Sequence, residues 1–264
     1  MPAIIIHRYL LIEFILIFFR IIAMLVVLPF IGSSVVPKWA KIGLAFFMSL
    51  IVYPMIVKTQ TIPHLSLPML ILAIISQVLA GVIFGFLVLI IFTGVEVAGQ
   101  LISVQVGFGM ISLLNPLISN QQVSLISNLQ NYVALIIFIQ TSAFFFVIEG
   151  IYRSFQTIPL TFVSFSPHIF QYLAARGNDI FLIGLDLSIP IVLVAVILNI
   201  IIALMGRIAP QFNIFAVGFP ITIAVGLFML YVTAPYFTDY IIQSFGGLKT
   251  EFNHMINYMA YIRK

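Results

Sequence analysis

The 264 residues are 63% hydrophobic and only 7% charged, against roughly a quarter charged in soluble domains. A chain this apolar belongs in a membrane or inside an apolar assembly. Its net charge of +4, without a basic run, speaks against nucleic-acid binding, and the absence of cysteine excludes disulfides, thiolate metal sites and a Cys nucleophile.

The length leaves room for roughly six or seven spanning segments of about 20 residues each. The first is expected over Tyr9–Phe30. It lacks a small-residue cleavage site and is interrupted by Glu13 and Arg20, so it reads as an uncleaved segment. Those two charges are seven apart and share one helical face. Charges in a spanning segment face a bundle interior and find partners; the pair either lines a polar interior or, the favoured reading, packs against another helix or subunit. Pro29, Gly32, Ser33, Ser34 and Pro37 form a turn. A second segment, Ile42–Val57, lies between Lys38/Lys41 and Lys58; it is short for a span and weakened by Pro54. After Pro63 and Pro68 a third runs from Met69 to Thr93. In it Gly81 and Gly85 make a small-xxx-small face for the close approach of another helix.

Gly94–Gln122 follows, too polar for a comfortable membrane helix, yet no residue from Val97 to Ile148 is charged. Its polarity comes from Gln100, Ser103, Gln105, Ser112, Asn115, Ser119, Asn120, Gln121 and Gln122, while Gly107, Gly109 and Pro116 loosen or bend the backbone. Composition alone admits an ordinary extramembrane loop. The apolar residues that continue through it (Val106, Phe108, Met110, Ile111, Leu113, Leu114) and the missing charges favour a re-entrant or pore-lining segment. Glu96 stands at its entrance, either as a functional acid or as a carboxylate at a membrane–water boundary.

Leu125–Ile148 reads as a helix carrying Asn128, Gln130, Asn131, Gln140 and Thr141, a set suited to interhelical hydrogen bonds. Glu149–Asp179 is expected to be the longest connection. Ile180–Gly206 and Ile214–Tyr236 form a helical hairpin across Arg207–Asn213, with Pro190 and Pro220 in its arms. Gly246–Gly247 reads as a hinge. Beyond it Leu248, Phe252, Met255, Ile256, Met259 and Ile262 share a face, an amphipathic tail for a membrane surface or a partner helix.

Chemistry is missing. The chain has no HExxH, GxSxG, Walker A or dinucleotide fingerprint, and His7, His64, His168 and His254 lack metal-ligand spacing. The acids are dispersed. The expectation is a non-enzyme without cofactor or metal.

Two separated motifs carry a resemblance. GVEVAGQLISVQVGFGMISLLNP (94–116) is similar to the central signature of the FliR family of flagellar type III export-gate proteins. GRIAPQFNIFAVGFPITIAVG (206–226) resembles that family's second signature, and SFQTIPL (154–160) sits in the expected order between them. The resemblance implies an all-α integral membrane subunit: a FliP-like helical region over 1–179, a FliQ-like hairpin over 180–237 and an amphipathic tail over 238–264. It implies a gate built with FliP and FliQ homologues, an FlhB homologue associated with it, and unfolded flagellar subunits passing through. The setting is the bacterial inner membrane at the flagellar basal body, among membrane lipids and without nucleic acid. Much of the apolar chain then packs on other subunits above the membrane plane.

The family's plug maps to 106–122, with Val106, Gly107, Phe108, Gly109, Met110, Leu113, Leu114, Asn115, Pro116, Asn120, Gln121 and Gln122 as gate residues. Glu13, Arg20, Gly81, Gly85, Glu96, Arg207, Pro210, Gln211, Asn213 and Pro220 are assigned to subunit packing. Two positions depart from the pattern: Asn115 stands where the family often has an acid, and LISNQQ replaces a small-residue run. An injectisome homologue of the same superfamily is the near alternative; the Arg207 turn and Gly218-Phe219-Pro220 lean to the flagellar branch. A stand-alone secondary transporter would require an internal repeat and ionisable residues near a helix break, for which Glu96 is the sole candidate.

Overall fold

The computed structural model describes residues 2–33, 35–56, 65–108, 124–163, 165–209, 211 and 214–260, with the backbone alone for 2–9 and 214–215. Among these every regular element is an α-helix: α1 (Pro2–Val27), α2 (Lys38–Ile56), α3 (Leu67–Val106), α4 (Leu125–Gln140), α5 (Ala143–Thr157), α6 (Pro167–Ile208) and α7 (Ile214–Ala260). Five are long and apolar enough to cross a membrane, or six if the broken pair α4–α5 counts as one span. The chain is an all-α membrane protein.

Local sequence explains most of the boundaries. α1 stops two residues before Pro29, as a following proline disfavours helix. α2 opens after Pro37, whose carbonyl accepts from Ala40 and Lys41; the Lys41 ammonium then ties back to the carbonyls of Gly32 and Ser33, both at 2.8 Å. α5 ends where Ile158 turns extended before Pro159. Pro167, its fixed φ suited to a first helical position, opens α6.

The single helix expected over 125–148 breaks at Thr141–Ser142 into α4 and α5, which runs on to Thr157, and three further helices overrun the spacing-based expectation. α3 continues past Thr93 to Val106 because Val95, Ala98, Ile102 and Val106 fall on one wholly buried stripe, leaving Gln100 and Val104 outside. α6 begins at Pro167 rather than Ile180; its charged Arg176 pairs with Glu251 at 3.2 Å. α7 runs unbroken through Gly246–Gly247, which the sequence marked as a hinge. Buried Phe245 and Leu248 flank the two glycines and hold the helix through them.

The chain divides into two compact units, each discontinuous in sequence. The first comprises Met1–Ile90, Ser142–Arg176 and Gly246–Lys264. Its core is α1 (Leu16, Ile17, Ile21, Met24, Leu25) against α3, with α2 lying on α1 through edge-to-face contacts of Phe14 with Phe46 (5.4 Å) and Tyr53 (6.1 Å). Gly81 and Gly85 receive α1: a Cβ at Gly81 would fall 2.2 Å from the Arg20 carbonyl, and one at Gly85 2.7 Å from Val27 Cβ. The C-terminal turns of α7 are part of this core. Phe252 stacks on Phe84 (5.5 Å, 2° between planes) and covers Gly150, while Leu248, Met255, Ile256 and Met259 are buried. The amphipathic face read from spacing is thus buried against its own chain. Its polar rim joins Glu149 to Arg153 (2.7 Å) and Lys249 (3.5 Å), and Glu251 to Arg176 and the Tyr172 hydroxyl. Such exposed pairs contribute about 0–1 kcal/mol each, whereas burying one Phe contributes about 1.5–3 kcal/mol; the apolar contacts dock the tail.

The second unit comprises Ile91–Thr141 and Gly177–Phe245. Phe92, Phe138 and Phe245 make a ring cluster with centroids 5.1–5.9 Å apart. α6 and α7 touch at Gly218, where a Cβ would meet Ile202 at 2.9 Å, and at Tyr240, whose hydroxyl donates to Asp186 at 3.0 Å.

Candidate functional site

The site is the base of the segment between α3 and α4, within the second unit. α3 ends in a defined stop. Gly107 has φ +90, a conformation open to glycine and strained for other residues. Its N–H donates to Val104 O (3.2 Å) and the Phe108 N–H to Ser103 O (3.0 Å). That pair of hydrogen bonds, with glycine at the left-handed position, is a Schellman cap. The Phe108 side chain folds back onto a cluster of Ile102, Val106, Ile126 and Ile191, joined by Met229 and Leu230. The other end is equally well made: Ser124 caps α4, its hydroxyl oxygen accepting from the Ser127 N–H at 3.2 Å.

The two ends are also fastened to α3. A Cβ at Gly99 would lie 2.4 Å from Ser127 Cα, so α3 and α4 touch backbone to backbone. There Ser127 Oγ donates to Glu96 O (3.2 Å) and Ser124 Oγ to Gly99 O (3.4 Å). α6 crosses α3 as closely, with Gly94 facing Ile183 and Gly184 facing Val97. α7 closes the group. A Cβ at Gly226 would come within 2.2 Å of Val106 Cγ1, and the Phe219 ring lies 3.3 Å from where a Gly107 Cβ would be. The two separated signatures, 94–116 and 206–226, therefore meet in space at Val106–Gly107.

Of the proposed gate residues the structure brings Val106, Gly107 and Phe108 to this base. Gly109, Met110, Leu113, Leu114, Asn115, Pro116, Asn120, Gln121 and Gln122 lie outside the described residues, as do Pro210 and Asn213. Glu96 is half-buried on α3 and accepts from Gln100 one turn on. Arg207 is exposed in the last turn of α6, where a cation complements the helix dipole; Gln211 and Pro220 are exposed too. Glu13 and Arg20 are buried on α1 but do not pair. Arg20 is 1% exposed and is met inside its own chain by Gln77, Ser154 and the Pro159 carbonyl, with its guanidinium 4.4 Å over the Phe155 ring. Gln77 and Ser154 escaped the sequence reading. Their signal was a lone amide in the apolar run 69–93, and the SFQTIPL motif itself.

Among the described residues no three His, Cys, Asp or Glu come together as metal ligands. On either side of the undescribed residues 109–123 stand two capped, tightly packed helix ends.

The chain matches the model of bacterial export proteins, family 1, over residues 11–248. It is similar to the flagellar biosynthetic protein FliR of Bacillus subtilis (32% identical, covering 83% of this chain and 85% of the relative). It is also similar to FliR of Aquifex aeolicus (30%, covering 89% and 95%) and of Escherichia coli (29%, covering 82% of each). With a match across nearly its whole length and the two signatures joined at one site, this chain belongs to the FliR family of bacterial export proteins.

Proposed function

We propose that this chain is a non-enzymatic subunit of the flagellar type III export gate in the bacterial inner membrane, at the flagellar basal body. With FliP and FliQ homologues, and an FlhB homologue beside them, it forms the channel for unfolded flagellar subunits, and its segment 106–122 plugs the closed pore. The observation that carries this reading is the base of that segment. A plug needs fixed ends and a movable middle, and the Schellman stop at Gly107 and the Ser124 cap, bound to α3 at Gly99, are fixed ends. Phe108 is held in the fixed base, and between the two ends apolar Met110, Leu113 and Leu114 would close the lumen by dewetting, while the uncharged amides and Gly109 let the segment move aside.

Helix length supports an assembly that rises out of the membrane. At about 1.5 Å per residue, α3, α6 and α7, with 40, 42 and 47 residues, extend about 60–70 Å, roughly twice a hydrocarbon core. Along α6 and α7 apolar residues such as Leu182, Leu193 and Tyr231 stay exposed, a surface for lipid or protein neighbours to cover. Arg20, Gly81 and Gly85 are occupied within the chain, so we assign subunit packing to the exposed Arg207, Gln211 and Pro220, together with Pro210 and Asn213 of the same turn. The consecutive FliP-like, FliQ-like and tail parts (1–179, 180–237, 238–264) belong to this proposal.

The test is conductance. Deleting part of Gly107–Gln122 in the complex reconstituted with FliP and FliQ homologues should make membranes leak ions. Unchanged conductance would count against the plug.

A further inference from the structure

The connection from Ile158 to Ser166 is non-helical among its described residues, yet it lies inside the first unit, with Ile158, Leu160 and Val163 at 0%, 1% and 7% exposure. Backbone of this kind has no ladder of its own, and in an apolar body each unmet N–H or carbonyl is expensive. Side chains of α1 and α3 supply the missing partners. Arg20 Nη2 donates to Pro159 O at 3.2 Å; Gln77 Nε2 donates to Pro159 O at 3.3 Å and Leu160 O at 2.9 Å; Ser76 Oγ accepts from the Val163 N–H at 2.7 Å.

Arg20 organises the set. Its Nε donates to Gln77 Oε1 at 2.7 Å, which turns the Gln77 amide nitrogen toward the connection. Its Nη1 donates to Ser154 Oγ at 3.2 Å, and that hydroxyl spends its own proton on Ile151 O at 2.7 Å, leaving lone pairs for the guanidinium. Phe155 lies beneath the cation at 4.4 Å, a favourable cation–π distance. Every acceptor is a neutral dipole, and no ion pair among the described residues reaches Arg20. The guanidinium spreads its donors over a fixed planar fork that reaches these three separated acceptors; an ammonium also has three donors, but they radiate from one point and do not span them.

We propose that Arg20 is the positioning residue of the α5–α6 connection. With Gln77 and Ser76 it acts as a substitute hydrogen-bond ladder that holds Ser154–Val163 in shape within the apolar body and so sets where α6 begins. This is the role of the SFQTIPL motif.

The chain lacks cysteine, so single thiols report cleanly. Val163→Cys probes the connection, and Ala45→Cys, at 0% exposure within α2, probes general loosening. In the full-length detergent-solubilised protein, Arg20→Lys and Arg20→Gln should speed maleimide labelling at position 163 about ten-fold or more while position 45 stays protected. Ser154→Ala, which removes one acceptor and keeps the cation, should give about a three-fold increase, and it decides the matter if the Arg20 variants do not fold. Protection of position 163 unchanged by Ser154→Ala and by the foldable Arg20 variants would overturn the proposal. So would equal opening at 45 and 163, since Arg20 would then only stabilise the whole.

Discussion

Substituting Gly99 by alanine places a methyl group 2.4 Å from Ser127 Cα and 2.8 Å from Ser127 N. Both are backbone atoms, so no side-chain rotation relieves the clash, and comfortable carbon contacts need about 3.5–4.0 Å. α3 and α4 must part by about 1 Å at that point. Overpacking of this kind costs about 1–3 kcal/mol. The separation also weakens the Ser127–Glu96 and Ser124–Gly99 hydrogen bonds, already 3.2 and 3.4 Å long, each worth about 1 kcal/mol or less between membrane helices. The sum is about 3 kcal/mol, and at about 2–4 °C per kcal/mol for a chain of this size the melting temperature should fall about 6–12 °C. The assay is thermal unfolding of the purified protein in detergent, followed by circular dichroism, with Gly43→Ala alongside. Gly43 lies in α2 with nothing within 4 Å of an added Cβ, so alanine there should stabilise by about 0.5–1 kcal/mol. A Gly99→Ala protein that melts with its parent would refute the backbone contact between α3 and α4.

Other outcomes follow from the same packing. Phe252→Ala, which empties the space between Phe84 and Gly150, should cost about 3–5 kcal/mol in unfolding experiments. Glu149→Gln, which breaks only the exposed pairs with Arg153 and Lys249, should cost under about 1 kcal/mol, less still in high salt. Gly226→Ala drives a methyl into the Val106 side chain; adding Val106→Ala should recover part of the loss, a coupling of about 0.5–3 kcal/mol in a double-mutant cycle, and strict additivity would dismiss the contact.

Helix type and the apolar class were legible because 3.6-residue spacing and the scarcity of charge survive in any context. The stripe Leu248, Phe252, Met255, Ile256, Met259 is a good example. Its destination was not legible, since an apolar helical face reads the same whether it meets lipid, a partner or its own chain. Gly246–Gly247 suggested a hinge by propensity, and burial of Phe245 and Leu248 overrides that propensity. Gly94–Val106 hid a helix because its amides and serines dilute the apolar pattern; the buried positions Val95, Ala98, Ile102 and Val106 keep the period. The charges Glu13 and Arg20 were visible as buried groups in need of partners, but the acceptors of Arg20 lie on α3, on α5 and on the connection after α5, far along the chain, and only folding joins them. For the site, the two signatures pointed to 94–116 and 206–226. That they meet at Val106, Gly107, Phe219 and Gly226 is a tertiary fact no spacing encodes.

The central claim, that this chain works as one part of a hetero-oligomeric export gate, is tested most directly by mass. The tagged chain is expressed with and without its FliP and FliQ homologues, and the detergent-solubilised particle is weighed. The account predicts one large complex containing a single copy of this chain with both partners. A well-behaved particle of this chain alone, unchanged by their presence, would contradict it.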